Sequence, residues 1–437
     1  MENVGERNEV VDDVTTEAPT KKRVGVVIIL LITVLVAYLD RVNVSVLIAD
    51  PAFLDAMGIN GKPFEMGLLT SLFVVAYGFS NFVLTPLGDW MGARKTMILA
   101  LVLWAISSII GGLAQTFVIM LASRVLLGLG EGLHFPMQGK FIKNWFPPQE
   151  RGRANATWVV GIMAGPAMAM PFFTTIIHNF GWRDSFFVLA LIGMVPIFLL
   201  WKYTTDKPAD HKGVNQAELK HIEEALAKEA EEEKQKAHFE KPKLSVTLKM
   251  LSTNYKFILI TLYYSCLGSI LWGAMAWLPS YLKMARGFTW SSMGIWASMP
   301  YVFGIVCIIA SGYFADKFNR RAILCAISMS CAAIGIYLGA QATDNVHAAM
   351  FLTFGVGAIG FGISPAWTIQ QRIIPAHSVG TAGGVMNGIT NIYSAFIPAL
   401  IGWLIAFTGT YTAGLMVLVA NGIFATLCAI PLVMKKY

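Results

Sequence analysis

Twelve apolar runs, each about long enough to cross a bilayer, recur between Val24 and Met434 and leave little room for any other fold. They fall near residues 24–49, 66–87, 97–114, 118–142, 154–177, 184–203, 257–282, 291–314, 322–341, 347–371, 379–406 and 411–434, each bounded by Gly, Pro or a charge cluster. A helix crosses the hydrocarbon core in about 20 residues. Lipid cannot hydrogen-bond an open backbone, so runs of this length predict helices. Composition agrees: 56% of residues are hydrophobic and 14% charged, against about 25% charged in a soluble domain. No second soluble domain fits in what remains, so the expected fold is an all-α polytopic membrane protein.

Residues 1–20 are polar and acidic on balance, which predicts a disordered cytoplasmic tail ahead of Lys21, Lys22 and Arg23. The first run is too long for a signal-peptide core and has no small-residue cleavage site, so it stays as a span. All five cysteines lie inside predicted spans without metal-ligand spacing, and no cofactor or metal is expected. An even number of spans puts both termini on one side. Loops on that side carry Arg94, Lys95, Lys143, Arg151, Arg153, Lys317, Arg320, Arg321, Arg372, Lys435 and Lys436; the opposite loops hold little beyond Lys62, Arg183, Lys283 and Arg286. The positive-inside rule then predicts cytoplasmic termini. The net charge of +7 reflects this topology, and a nucleic-acid partner has no basic domain to bind.

The long polar stretch 204–256 divides the chain into six-span halves, 21–203 and 257–437. Within it, Leu219, Ile222 and Leu226 stand at helical spacing among dense Glu and Lys, which predicts a surface helix at the cytoplasmic interface. The halves look duplicated. Gly88-Asp89-Trp90-Met91-Gly92-Ala93-Arg94-Lys95 after the second run is matched by Gly312 to Arg321 after the eighth. Trp145-Phe146-Pro147, continuing to Gly152, is matched at nearly the same offset by Ile373-Ile374-Pro375, continuing to Gly380. Repeats of this kind mark transporters that hold substrate near mid-membrane between the halves.

With these motifs the sequence resembles the major facilitator superfamily along essentially all of residues 20–437. The resemblance implies two six-helix bundles, and it implies gating roles for Asp89 and Arg94 in the first loop and Asp316 and Arg320 in the second. The first copy is looser, with Thr85 for a Gly and Ala93 for a basic residue. Span five adds Gly161-x-x-x-Gly165-Pro166, where small residues permit close helix approach and Pro bends the helix.

Charges inside spans are costly and by default functional. Asp40 and Arg41 stand in the first run, Arg124 and Glu131 in the fourth. Arg124 and Glu131 share a helix face but are separated by about 10.5 Å along the axis, too far to pair directly. Asp40 and Arg41 point about 100° apart, so each needs a partner from elsewhere. The economical arrangement is a polar cavity shared by spans one and four; a structural ion-pair cluster is the alternative. Arginine's planar fork suits a carboxylate. A buried carboxylate whose Arg partner is taken by an anionic substrate would gain affinity for a proton, which couples anion to proton.

Tyr38-Leu39-Asp40-Arg41-Val42-Asn43, Arg124-x-x-x-Gly128-x-Gly130-Glu131 and Trp145-Phe146-Pro147 resemble the anion:cation symporter family, which includes bacterial hexuronate, glucarate and galactonate permeases. That resemblance implies proton coupling at Asp40 and Glu131 and anion contact at Arg41 and Arg124, with Tyr38 and Asn43 beside them. It also implies cavity roles for Tyr77, Ser364, Trp367 and Asn387. Ile162 stands where galactonate carriers place a glutamine. His134, one turn beyond Glu131, and Gln138 on the same face are further substrate-contact candidates against a purely local role. Trp272, near the middle of span seven, is the aromatic there best placed to line a cavity; Trp277, Tyr263 and Tyr264 are weaker candidates beside interfacial anchoring.

The expected function is therefore proton-coupled import of an organic carboxylate, sugar acids first and small or aromatic carboxylates next, by a monomeric carrier in a bacterial inner membrane; an organic anion or phosphate exchanger is the alternative. A drug exporter shares the fold but binds lipophilic cations, which two buried arginines disfavour. A phosphate exchanger would place another basic residue in span seven, where residues 257–282 hold no Lys, Arg or His. No phosphate-binding Gly-Lys loop, metal-ligand pair or nucleophile elbow supports an enzyme.

Overall fold

A computed structural model describes residues 18–236, 244–318, 320–375 and 378–437; most of the predicted tail, residues 1–17, lies outside them. Among the described residues, twelve helices are long and apolar enough to cross a membrane: Lys22–Leu47, Pro63–Asn81, Ala93–Leu113, Phe117–Trp145, Arg151–Phe180, Trp182–Tyr203, Tyr255–Ala285, Trp290–Ala315, Arg321–Gln341, Asn345–Ile373, Val379–Thr408 and Tyr411–Met434. They are spans 1 to 12 below. Several extend a few residues beyond their apolar runs; span 4, for example, ends at Trp145.

Spans 1–6 and 7–12 each form a bundle, and the bundles meet chiefly where span 2 packs on span 11, span 5 on span 8 and span 1 on span 7. These junctions rest on small residues. Gly67 of span 2 abuts the Pro398 carbonyl, Gly402 of span 11 the Pro63 carbonyl, and Gly294 of span 8 Thr174 and Pro171; none has room for a Cβ without movement. Ser280 Oγ donates to the Ile48 carbonyl at 2.8 Å, and the Ala399 N–H donates to Ser71 Oγ at 3.0 Å. All these contacts lie toward the face opposite the termini, so the bundles are sealed there.

The first-loop residues of the repeated signature act within their own bundle. Asp89 pairs with Lys140 of span 4. The Arg94 guanidinium donates to the Leu200 and Trp201 carbonyls at the end of span 6, and its backbone N–H donates to Asp206 at 2.8 Å. In the second copy, Arg320 is exposed ahead of span 9; the Asp316 side chain lies outside the described residues.

The linker helix Gln216–Lys236 is present, and its Ile222 side is seated on the first bundle, where two of its acids meet basic groups. Glu218 and Ile222 are fully buried. Glu218 accepts from Thr20 Oγ1 at 2.7 Å, from the Lys22 N–H at 3.0 Å and from Arg23 Nη1 at 3.0 Å. Arg23 also binds Glu150, which meets His221. Arg151 grips Glu229 with two bonds of 2.6 and 2.8 Å. Thr20, assigned to the tail by sequence, is thus anchored through Asn215 and Glu218. Burial raises the Glu218 carboxyl, but hydrogen bonds from Thr20, Lys22 and Arg23 outweigh it and hold it below the ordinary glutamate range. The clamp is therefore intact at neutral pH and is lost only as pH falls through that lowered value. Glu218→Ala leaves Arg23 one carboxylate short, and hydrogen bonds to charged groups contribute about 1.5–3 kcal/mol. Limited proteolysis within 216–236 is expected to speed up at least about tenfold; an unchanged cleavage rate would show that the helix is held by other contacts.

Candidate functional site

Glycines set the depth of the buried charges. Along span 4, Gly128 lies on the backbone of Phe73 and Tyr77, Gly132 on that of Tyr77 and Asn81, and Gly130 against Trp104. Span 4 can therefore settle onto spans 2 and 3 and carry Arg124 and Glu131 into the bundle. Gly161 and Gly165 of span 5 do the same for span 1, lying against Val34 and Tyr38. Close approach through small residues replaces the hydrophobic effect, which lipid does not supply.

Arg41 Nε donates to Glu131 Oε2 at 2.6 Å, with 3% and 0% of their side chains exposed. The guanidinium carbon sits over five rings: Tyr38 at 4.5 Å, Trp272 at 5.2 Å, Tyr77 and Phe135 at 5.3 Å and Phe73 at 5.7 Å. Trp272 belongs to the second bundle, so Arg41 stands where the bundles meet. Arg41 Nη2 and Glu131 Oε1 are buried without a hydrogen-bond partner. Each cation–π contact adds roughly 0.5–2 kcal/mol, but an unsatisfied charged group costs about as much or more. The pair is thus held with unused hydrogen-bonding capacity on both members.

Arg124 lies over the same Phe73 ring at 5.2 Å, and its buried Nε has no partner. Asp40 turns away from Arg41, as neighbours on a helix must, toward span 3, where Ser108 Oγ donates to Oδ1 at 3.4 Å. Arg124, Glu131 and Arg41 all act electrostatically on Asp40. Two acids and two arginines therefore form one buried set, and Arg124 and Glu131 belong to it without bonding each other.

His134 and Gln138 form a separate polar knot with span 1. His134 Nε2 lies 2.8 Å from Thr33 Oγ1, and Gln138 Nε2 donates to Thr33 Oγ1 at 2.8 Å and to the Leu30 carbonyl at 3.2 Å. His134 makes no bond to Glu131; its ring faces Trp104 at 5.0 Å and Phe135 at 5.6 Å. Its Nδ1, like Gln138 Oε1, is a buried atom without a partner. Asn43 is fully buried, and neither of its amide atoms has a partner.

In the second bundle, Trp367 Nε1 donates to Tyr264 OH at 3.0 Å, with their rings edge to face. Gly383 lies against Trp367, and Asn387 follows one turn along span 11, half-buried. Ser364 is exposed in span 10. Tyr263 instead donates to the Cys325 carbonyl, and Trp277 to the Pro398 carbonyl beside the far-face seal. Sequence reasoning did not single out Phe73, Phe135, Ser108 or Thr33. Polar Ser108 and Thr33 inside apolar runs were visible signals; one phenylalanine among 27 was not.

Two bundles of six spans, sealed on one face around a buried charge set, define a membrane transporter. The comparisons give the family: the Major Facilitator Superfamily profile matches residues 30–398, and the chain belongs to that superfamily. It is 29% identical to a hexuronate transporter of Bacillus subtilis (strain 168), over 95% of both chains. It is 27% identical to a probable galactarate/D-glucarate transporter of the same organism, over 95% of this chain and 92% of that one. Among solved structures it is similar to a bacterial homologue of the human lysosomal transporter Spinster in an inward-facing state, at 17% identity and TM-score 0.76, over 96% and 98% of the chains. The chain is thus a transporter related to sugar-acid carriers, and not an enzyme.

Proposed function

We propose that the protein is a proton-coupled symporter that imports an organic carboxylate, most consistently a sugar acid, with both termini cytoplasmic in a bacterial inner membrane and one chain sufficing. The observation that carries this reading is the Arg41–Glu131 bond of 2.6 Å inside an aromatic enclosure at the bundle interface. An entering carboxylate competes with Glu131 for the guanidinium. Glu131, displaced from the one cation bonded to it and surrounded by apolar groups, is then neutralised by a proton. Arg124 offers a second donor through its free Nε, and Asp40, held by Ser108, is the second proton site. Tyr38, Asn43, Tyr77, His134 and Gln138 from one bundle and Trp272, Ser364, Trp367 and Asn387 from the other complete the cavity. With cytoplasmic termini, the sealed face is the extracellular one. Hexuronate and glucarate relatives support sugar acids as cargo.

The test is uptake of a labelled sugar-acid panel into proteoliposomes with an alkaline interior. Concentrative uptake that collapses on adding a protonophore is expected. Uptake indifferent to the protonophore but dependent on an internal anion would make the protein an exchanger instead.

A further inference from the structure

We propose that the second bundle binds one anionic phospholipid from the leaflet on the side of the termini, with its acyl chain in a groove between spans 8 and 9 and its phosphate on Arg320. The groove is a cavity of about 440 Å³ lined by Phe314, Ile323, Leu324, Ile327 and Phe361 and, at one end, by Arg320. Ligand cavities run from about 300 to 1,000 Å³. Phe361 of span 10 is tied to span 8: its ring stands 6.0 Å from that of Phe314, and its carbonyl accepts from Ser311 Oγ at 2.7 Å. From Arg320 to Ile327 the groove follows span 9 for about 10 Å, or two helical turns.

The groove opens toward hydrocarbon. On span 8 the exposed apolar residues Val302, Val306, Ile309 and Tyr313 recur at helical spacing, and on span 9 Ile327, Ile334 and Leu338 do the same. In a membrane-spanning bundle such stripes face lipid, so what reaches a groove between them is an acyl chain and not a water-soluble ligand. The mouth is basic. Arg320 is exposed just ahead of span 9, and the loops 312–321, 371–380 and 435–437 around it carry Lys317, Arg321, Arg372, Lys435 and Lys436 against Asp316 as their acid. A guanidinium at headgroup depth meets a phosphate with parallel hydrogen bonds. A zwitterionic headgroup brings its own cation to this rim and is repelled there, so the surroundings of Arg320 select a lipid of net negative charge.

The experiment measures lipid retained by the purified protein, by native mass spectrometry after detergent exchange, with dioleoylphosphatidylglycerol and dioleoylphosphatidylcholine as probes. The two share their acyl chains, so a difference reports the headgroup. Retention of phosphatidylglycerol at least about tenfold above phosphatidylcholine is expected, and Arg320→Gln should lower it to the phosphatidylcholine level. Ile327→Trp, at an exposed position, fills the groove with Arg320 intact and should lower phosphatidylglycerol retention at least about tenfold as well. Lys143→Gln removes an exposed charge at the same end of the first bundle and should change nothing. Equal retention of the two lipids by the unaltered protein would overturn the proposal. So would phosphatidylglycerol binding that survives Arg320→Gln or Ile327→Trp, or that Lys143→Gln lowers as much as Arg320→Gln does. Competition by glycerol 1-phosphate at the lipid's own concentration would also overturn it, because a site for the free headgroup needs no acyl groove. The comparison of headgroups in the unaltered protein decides the proposal whether or not a variant folds.

Discussion

Arg41→Lys is expected to reduce carboxylate uptake about a hundredfold or more while the protein still reaches the membrane at its usual level. The guanidinium does two things at once in the structure: Nε holds Glu131, and Nη2 remains buried without a partner. A lysine supplies one ammonium at the end of a flexible stem, so it can keep Glu131 or meet a substrate carboxylate, but not present both in a fixed plane. Losing a charge-assisted bond of about 1.5–3 kcal/mol, together with the geometry of the fork, accounts for a loss of this size. The five rings around Arg41 do not rescue the variant, because they favour any cation over their faces without restoring the second donor. Uptake rates and membrane yield, measured together, separate loss of recognition from loss of fold. Near-normal uptake would make Arg41 a scaffold residue and leave Arg124 as the anion contact.

Glu131→Gln is the second large effect, and its signature is a split between two kinds of flux. The amide keeps the side chain's shape and can still accept from Arg41 Nε, but it removes the negative charge that opposes substrate on the guanidinium. Substrate should bind as though Glu131 were permanently protonated. Counterflow of labelled against unlabelled substrate needs no net proton movement and should survive. Accumulation driven by a pH gradient should fail, because no proton is carried to be released. For the unaltered protein, each proton carried with the substrate adds up to about tenfold accumulation per pH unit, since a factor of ten corresponds to about 1.4 kcal/mol. Asp40→Asn should also lose accumulation, and with it more of the exchange, because Asp40 is tied to span 3 through Ser108 and to the charge of Arg124 rather than to the bundle interface.

The spans were legible in the sequence because lipid imposes length and apolarity on every crossing helix. The divergence of Asp40 and Arg41 was legible too, since adjacent residues cannot share a helix face. The identity of their partners was not. Whether Arg41 meets Glu131 or a residue of span 2 depends on how far span 4 slides along its neighbours, and that register is set by Gly128, Gly130 and Gly132 against particular backbone atoms. The five rings around Arg41 come from spans 1, 2, 4 and 7 and share no spacing that a single sequence displays. The partners of the linker acids were not legible either: Glu218 and Glu229 meet Arg23 and Arg151, which are remote in sequence.

The central claim is that carboxylate and proton exchange places on one buried pair, and proton uptake on binding measures this directly. Purified protein in weakly buffered detergent solution near neutral pH, titrated with D-galacturonate in the presence of a pH indicator, should take up about one proton for each substrate bound. Glu131→Gln should bind the same substrate with no proton uptake. Binding without proton uptake in the unaltered protein, or undiminished uptake in Glu131→Gln, would contradict the account.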